Sequence, residues 1–214
     1  MSTSSERLGE YIRAVEHELA RDVAQQQVRW RYRIHAGRVF FDDEVRRAHA
    51  RLKQSIPAYI REGSILNLLT APVIYSLIVP LAALDLWVSL YQWICFPIYG
   101  IARVRRRAYF VFDRRKLAYL NAIEKAGCAF CSYANGLLAY VREVAARTEQ
   151  YWCPIRHARA IPAPHGRYHL FFDYGNGERY HTELMALRRT LEESAPPDDR
   201  TGGARRHAGV GEER

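Results

Sequence analysis

Hydrophobic and polar positions are distributed very unevenly along the chain, and the longest apolar run lies near its middle. Residues 64–102 contain a single charged side chain, Asp85, whereas arginine is abundant on both sides of the run. One helix over the whole run would be about 58 Å long, nearly twice the ~30 Å hydrocarbon core of a bilayer. The run therefore predicts two short transmembrane helices, residues 64–82 and residues 86–102, that form a hairpin.

The turn of this hairpin is expected near Pro80 and Asp85, because proline disturbs a helix and a carboxylate favours water. Trp87 would then lie at the membrane interface, where tryptophan is enriched. Three other arrangements stay open: a buried helical hairpin in a soluble domain, an in-plane or re-entrant hairpin that never crosses the bilayer, and a single span whose other half lies in the interface. Asp85 has a second interpretation as a proton or ion site inside the membrane.

Positive charge is concentrated directly after the apolar run. The chain carries a formal net charge of +9, and most of it lies in the basic segment, residues 103–116. A basic cluster next to a hydrophobic segment attracts anionic phospholipid headgroups, at roughly 1 kcal/mol per Lys or Arg near the surface. Membrane lipids are therefore an expected partner, and nucleic acid is not. The residues predicted to contact headgroups are Arg103, Arg105, Arg106, Arg107, Arg114, Arg115 and Lys116.

Arginines also predict how the hairpin is oriented. Arg61 precedes the first helix and the basic segment follows the second, so the positive-inside rule keeps both ends on the cytoplasmic side. The polar N-terminal residues do not have the pattern of a secretory signal. Arginine greatly outnumbers lysine and alanine is abundant, which is typical of a GC-rich bacterial genome. The predicted location is the bacterial inner membrane, with both termini in the cytoplasm.

The polar regions on either side have the period of amphipathic helices, so the predicted class is mainly α with a minor β element. In the N-terminal region, residues 1–62, apolar side chains recur at helical spacing over residues 8–23. Asp42 or Asp43 can cap a second helix, which Pro57 is expected to end. Between these helices, arginine alternates with aromatic or aliphatic side chains over residues 28–41, which fits a strand or a continued helix.

Residues 117–193 are predicted to form a cytosolic domain that contains three of the four cysteines. Its predicted elements are a helix from Asp113 to about Ala126, a second helix over residues 137–149, a strand over residues 168–174 and a last helix over residues 178–193. Gly175-Asn176-Gly177 turns the chain before that last helix, for which a β-hairpin is the alternative. Residues 194–214 have almost nothing to bury and are predicted to be disordered.

Close cysteine pairs in a reducing cytosol indicate metal ligands or redox groups. Cys128 and Cys131 form a Cys-x2-Cys motif, and Cys153 and His157 form a Cys-x3-His motif. Three thiolates and one imidazole are a common tetrahedral zinc set. A continuous helix between the two motifs would hold them about 30 Å apart, so this zinc site requires a break, for which Asn135-Gly136 is the candidate.

Other uses of the cysteines stay open. Cys128 and Cys131 at a helix N-terminus would suit a thiol–disulfide redox pair. An iron–sulfur cluster would need Cys95 as its fourth cysteine, and without a cluster Cys95 is expected to be a small buried hydrophobic residue. Structural thiols without any ligand are the remaining interpretation.

Short blocks around these cysteines resemble a family of uncharacterised bacterial membrane-associated proteins. The blocks are residues 113–115, residues 117–124 (LAYLNAIE), the Cys-x2-Cys motif and residues 147–157 (RTEQYWCPIRH). The resemblance covers about residues 108–160. It implies a membrane-associated protein from a bacterium and no particular activity.

The sequence contains no glycine-rich phosphate loop, no Gly-x-Ser-x-Gly, no His-Glu-x-x-His and no dinucleotide-binding fingerprint. It therefore favours a membrane-anchored, non-enzymatic protein whose zinc-stapled domain presents a surface to a protein partner, with no catalytic residue assigned. A membrane-bound thiol–disulfide oxidoreductase or small metalloenzyme that uses Cys128 and Cys131 is one alternative. A membrane-shaping hairpin protein is another, and the amphipathic helices are compatible with a homo-oligomer.

Overall fold

The computed structural model describes residues 4–35, 38–63 and 65–193, and within them the chain is mainly helical, as predicted. The helices are α1 (Ser4–Trp30), α2 (Asp43–Arg51), α3 (Ile56–Glu62), α4 (Ile65–Ser76), α5 (Ile78–Tyr99), α6 (Ala122–Trp152) and α7 (Gly177–Glu193). Two antiparallel strands, β1 (Tyr32–His35) and β2 (Arg38–Phe41), follow α1. Short 3₁₀ turns lie at Arg106–Ala108, Asp113–Lys116 and Tyr168–Leu170. The predicted disordered tail lies outside the described residues.

The N-terminal region begins with the predicted amphipathic helix and continues into a β-hairpin. After α1, Arg31 takes the left-handed conformation at φ +51°, a position that usually carries glycine at helix ends. Arg31 also pairs with Asp42 at 3.3 Å and with Glu44 at 3.0 Å, which joins this turn to the start of α2. Pro57 does not end a helix as predicted: it lies in the first turn of α3, where its missing N–H has no partner to lose.

The predicted hairpin turn at Pro80 and Asp85 is wrong, because the chain stays helical through both residues. α4 and α5 are joined by Leu77 alone, which itself keeps a right-handed helical conformation. The interruption falls here because Pro80 has no N–H to donate to the carbonyl of Ser76, four residues earlier. The apolar run is one nearly continuous helical rod, Ile65–Tyr99, and not two helices that reverse direction.

The rod ends at Tyr99, before the predicted boundary at residue 102. Gly100 follows at φ +68°, and the N–H of Ile101 bonds back to the carbonyl of Phe96 at 2.9 Å. Any other residue is strained at this φ, and its Cβ would lie 2.9 Å from Oε1 of Glu192. Glycine thus determines where the rod stops and where the chain turns towards α6.

One long helix, α6, replaces the two shorter helices predicted after the basic segment. Asp113 begins a 3₁₀ turn and does not cap a helix. The cap is Asn121, whose Oδ1 accepts the N–H of Glu124 at 3.0 Å, while Oε2 of Glu124 accepts the N–H of Asn121 at 2.8 Å. This reciprocal pair is a capping box. Gly136, the candidate helix break, lies buried inside α6.

The core forms where α5, α6 and α7 meet. α5 and α6 run side by side in the same direction, since Asp85 bonds to Tyr133 and Tyr99 packs on Tyr151 further along both helices. Burying these apolar side chains is the main favourable term in folding. The buried core residues are Phe96, Ile101, Val104, Leu137, Tyr140, Val144 and Leu191.

The chain between α6 and α7 is irregular, and the strand predicted over residues 168–174 is wrong. Tyr168–Leu170 is a 3₁₀ turn, and Phe172 makes one isolated parallel bridge with Ile155. Phe172 is buried, and its N–H donates to the carbonyl of Pro154 at 2.8 Å. The predicted turn at residues 175–177 and the last helix are confirmed.

Replacing Asn121 with alanine is expected to lower the free energy of unfolding by about 1 kcal/mol, because the N–H of Glu124 loses its acceptor. Asn121 is fully buried, so water does not easily replace it. Denaturant unfolding in mild detergent, followed by circular dichroism, measures the change. Asn135→Ala, at an exposed site in the same helix, is the control and should change stability by less than about 0.5 kcal/mol. Equal losses in both variants would contradict the capping role.

Candidate functional site

An extensive apolar surface runs along the rod formed by α4 and α5. From residue 65 to residue 80 the described side chains are exposed on nearly all sides, and along α5 the exposed positions form a stripe facing away from α6. Only 6% of the most apolar 18-residue stretch of the rod is buried. By length and composition the rod could cross a bilayer. Soluble monomers rarely expose such patches. The apolar rod surface comprises Ile65, Leu66, Leu69, Val73, Ile74, Leu77, Ile78, Val79, Leu86, Trp87, Leu90, Trp93, Ile94 and Ile98.

Asp85, the charged residue of the rod, points inward and holds the basic segment. Its Oδ1 accepts Nε of Arg106 at 2.9 Å, and its Oδ2 accepts the hydroxyl of Tyr133 at 3.1 Å. The Arg106 guanidinium also lies 4.0 Å from the centre of the Phe110 ring. Asp85 is 9% exposed, so arginine and tyrosine satisfy its charge in place of water. Asp85 therefore joins two elements and is not a turn residue.

Two more polar side chains on this face of α5 complete a hydrogen-bonded network. Gln92 donates from Nε2 to the hydroxyl of Tyr140 at 2.6 Å, and its Oε1 accepts the N–H of Val104 at 3.0 Å. Ser89 lies within 3.5 Å of Oδ1 of Asp85 and 3.4 Å of the Tyr140 hydroxyl. Asp85, Ser89 and Gln92 are spaced by four and three residues, which is the spacing of one helix face. That spacing was the sequence signal for an inward-facing polar stripe.

Arg103 satisfies a backbone group that a proline leaves free. Pro97 has no N–H to donate to the carbonyl of Trp93, four residues earlier. Nη2 of Arg103 donates to this carbonyl at 3.2 Å. Trp93 is part of the apolar rod surface, so this hydrogen bond holds the guanidinium of Arg103 at the edge of that surface.

The basic segment divides into cations that bond within the protein and cations that face outward. Arg103 and Arg106 bond to the rod although both are exposed, and Arg105 is half-buried. The cations that face outward are Arg107, Arg114, Arg115 and Lys116, and between them Val111 and Phe112 are exposed as well. Cations that flank exposed apolar side chains are the arrangement typical of surfaces that contact the membrane interface.

The structure does not bring the four predicted zinc ligands together. Cys128 and Cys131 lie in α6, which is unbroken as far as Trp152, and Cys153 follows directly. The helical rise separates Cys131 from Cys153 by about 33 Å. Within residues 4–35, 38–63 and 65–193, no group of three or more His, Cys, Asp or Glu side chains is placed to hold a metal ion. The predicted Cys3His site is not assembled, because the break it requires at residues 135–136 does not occur.

The predicted ligands lie in three separate surroundings. Cys128, half-buried, and Cys131, exposed, lie close together on α6, beside the edge-to-face contact of Phe130 with Tyr75 of α4. Cys153 borders a groove of about 480 Å³ between α5 and α6, and His157 stacks on Tyr168. All four cysteines are free thiols, and Cys95 is half-buried. Binding of zinc or of an iron–sulfur cluster by other arrangements stays a prediction.

A second polar cluster joins α6 to the loop that precedes α7. Oε1 of Glu143 accepts Nε of Arg147 and Nε of Arg167, both at 2.9 Å. Burial lowers the pKa of Arg147 below its ordinary value, although the hydrogen bond to Glu143 acts in the opposite direction. Arg167 also donates to Oε1 of Gln150 at 3.0 Å. No local sequence pattern relates Glu143 to Arg167, so sequence reasoning could not identify this cluster.

The fold and the site together describe a mainly helical protein with an exposed apolar rod and a basic segment fastened to it. In comparisons with known proteins, no family model, no curated protein and no solved structure matches the chain.

Proposed function

We propose that this protein is a membrane-anchored, non-enzymatic interaction module whose rod, α4 with the outer face of α5, inserts into the lipid bilayer. The observation that carries the proposal is the apolar rod surface, which the rest of the described chain leaves uncovered. Lipid tails cover such a surface without specific partners, whereas its exposure to water is unfavourable. The helical domain of α6 and α7 then lies at the membrane surface and presents its polar faces to a protein partner.

Contacts between the two flanks of the rod favour insertion from one side of the bilayer. His49 of α2 packs edge-on against Tyr119 with 5.2 Å between the ring centroids, and β2 packs against the Asp113–Lys116 turn. Residues before and after the rod therefore meet near the start of α6. This supports an in-plane or re-entrant rod with both termini on the cytoplasmic side, because a single crossing would separate the flanks.

The exposed cations supply the electrostatic part of the attachment. Each arginine or lysine near an anionic membrane surface contributes about 1 kcal/mol, so the four outward-facing cations of the basic segment are a substantial second interaction. Arg106 is different: Asp85 already neutralises it, and its role is to hold the segment against the rod. Bacterial inner membranes rich in anionic lipid are the surface that these charges suit.

Lysine at positions 73 and 79 tests the insertion. Val73 and Val79 are each 69% exposed, so lysine fits both sites without disturbing contacts within the protein. In lipid, each charge is unfavourable by up to about 2.5–3.5 kcal/mol, the value at the centre of a membrane helix, and by less nearer the interface. We expect retention of Val73→Lys/Val79→Lys in alkaline-washed membranes to fall from nearly all of the protein to less than about half, measured by immunoblot of pellet and supernatant.

The matched control places two lysines outside the rod, as Leu138→Lys/Met185→Lys. These side chains are 54% and 64% exposed on α6 and α7, and the control should stay with the membrane as the wild type does. Equal retention of the rod variant and the control would contradict insertion. A wild-type protein that remains in the supernatant without surfactant, as a monodisperse particle, would contradict it as well.

A further inference from the structure

The N-terminal β-hairpin has two chemically different faces. Its register pairs Tyr32 with Phe41, Arg33 with Phe40, Ile34 with Val39 and His35 with Arg38. Because side chains alternate between the faces of a strand, one face carries the four apolar partners of the first and third pairs. The other face carries two arginines, a histidine and a phenylalanine. We call these the inner and outer faces of the hairpin.

Aromatic packing fixes the inner face to the rest of the protein. Tyr32 contacts Phe41 with 5.6 Å between ring centroids, Phe41 contacts His49 of α2 at 5.5 Å, and His49 contacts Tyr119 at 5.2 Å. The chain of rings leads from the hairpin to the residues just before α6. The outer face must therefore point away from the body of the protein.

The outer face is positively charged and is not neutralised by the acidic residues nearby. Residues 29–41 contain no Asp or Glu, and the acidic side chains that follow, Asp42 and Glu44, pair with Arg31 at the base of the hairpin. Arg33 and Arg38 are exposed and make no ion pair among the residues that the structure describes. Phe40 is exposed between them at 51%, and the guanidinium of Arg29 lies 5.2 Å from the ring centre of Trp30.

The hairpin lies at the same end of α6 as the proposed membrane elements. β2 packs against the Asp113–Lys116 turn, which carries three exposed cations of the basic segment. Tyr119, which anchors the hairpin through His49, comes just before α6, and Gly127 in the second turn of α6 lies next to Tyr75 of α4. Two basic regions far apart in sequence are thus brought together beside the apolar rod.

We propose that the outer face of the hairpin is a second membrane-contact surface, which binds the phosphate groups of anionic phospholipids through Arg33 and Arg38. This inference rests on the proposed insertion of the rod and extends it to a part of the chain that has no apolar run of its own. Arginine forms paired hydrogen bonds with phosphate oxygens, and an exposed aromatic ring beside it suits the interface between headgroups and lipid tails. A platform for single-stranded nucleic acid would stack successive bases on several large aromatic rings, whereas this face carries one phenylalanine, Phe40, and otherwise His35 and the two arginines.

Vesicle partition of the full-length Arg33→Gln/Arg38→Gln variant tests the proposal. The protein is diluted from detergent onto vesicles of phosphatidylcholine, either pure or with about 30% phosphatidylglycerol, and floated at about 100 mM salt. On the anionic vesicles we expect the variant to partition about 30-fold more weakly than the wild type. On the neutral vesicles the two should be equal, since the rod is unchanged. Arg47→Gln/Arg51→Gln, which removes two exposed arginines from α2, should stay within about threefold of the wild type on both.

Each outcome separates the two proposals. If the wild type floats with neither kind of vesicle, the proposed insertion of the rod is wrong, and the hairpin proposal, which rests on it, is overturned as well. If the wild type floats but the hairpin variant matches the α2 variant on anionic vesicles, only the hairpin proposal is overturned. Binding of a single-stranded oligonucleotide that is lost in the hairpin variant, with vesicle partition unchanged, would identify a nucleic-acid surface and overturn the lipid assignment.

Discussion

Glu143→Gln is expected to lower the free energy of unfolding by about 3–5 kcal/mol, because it removes the negative charge between two guanidinium groups. Arg147 is 3% exposed, and the Arg167 side chain is 14% exposed. Neither arginine can regain much hydration without moving out of the fold. Glutamine has the shape of glutamate and keeps one oxygen acceptor. The loss of stability therefore results from the missing charge and not from a cavity.

The effect should extend beyond α6, because the cluster joins several elements. Arg147 donates to the carbonyl of Ala102, just after the rod, and Arg167 donates to Gln150. Gln150 in turn donates to Oγ1 of Thr190 in α7 at 2.9 Å. Repulsion between the arginines would therefore loosen the contacts of the rod and of α7 with α6 together.

Denaturant unfolding in detergent measures the loss, and Glu183→Gln provides a matched control. Glu183 pairs with Arg179 at 2.9 Å on the surface of α7, and such exposed pairs contribute between zero and about 1 kcal/mol. Glu143→Gln/Arg167→Gln should be more stable than Glu143→Gln alone, since one of the two positive charges that repel each other is gone. If Glu143→Gln loses no more stability than Glu183→Gln, the buried cluster does not have the role that its geometry indicates.

Features that depend on neighbouring residues could be predicted from the sequence. The apolar run, the basic segment, the amphipathic helix α1 and the last helix α7 all follow from local periodicity or local charge. The place where the rod is interrupted also has a local cause. However, proline acts on the carbonyl four residues before it, so Pro80 interrupts the helix at Ser76 and not at its own position.

The surroundings of Asp85 depend on distant residues and could not be deduced. A lone carboxylate in an apolar run has two local explanations, a turn or a site inside the membrane. The actual partners are Arg106 and Tyr133, which are 21 and 48 residues away. The same holds for the basic segment, in which Arg103 and Arg106 bond to the rod although composition alone assigns every cation to the lipid.

The Cys3His arrangement required a helix break at Gly136, and the structure has no break there. Gly136 is a weak helix former, and by local propensity it marks a break. In the structure it stays helical and allows the backbone of residues 109–110 to pass close to α6. Because the helix continues, it holds Cys131 and Cys153 about 33 Å apart, so the spacing of the two motifs does not produce a shared site.

Gly136→Ala is accordingly expected to destabilise the protein by about 2–3 kcal/mol, although alanine is the better helix former. A Cβ at this position would lie 2.5 Å from the carbonyl oxygen of Tyr109 and 3.3 Å from Cα of Phe110. Both neighbours are backbone atoms, so no side-chain rotation can relieve the overlap. The segment must move away from α6, which weakens the packing of Phe110 on Tyr133 and strains the ion pair of Arg106.

Gly127→Ala in the same helix is the matched control, because its Cβ would meet only the Tyr75 hydroxyl at an ordinary 3.6 Å. There the gain in helix propensity, about 0.5–1 kcal/mol, should appear as increased stability. Both variants are measured by denaturant unfolding in the same detergent. A loss of stability in Gly136→Ala together with a gain in Gly127→Ala would show that glycine is needed at position 136 because the backbone of residues 109–110 passes close to it. If Gly136→Ala instead increased stability, the basic segment would not be held against α6. The contacts with α6 could then not explain the position of its outward-facing cations.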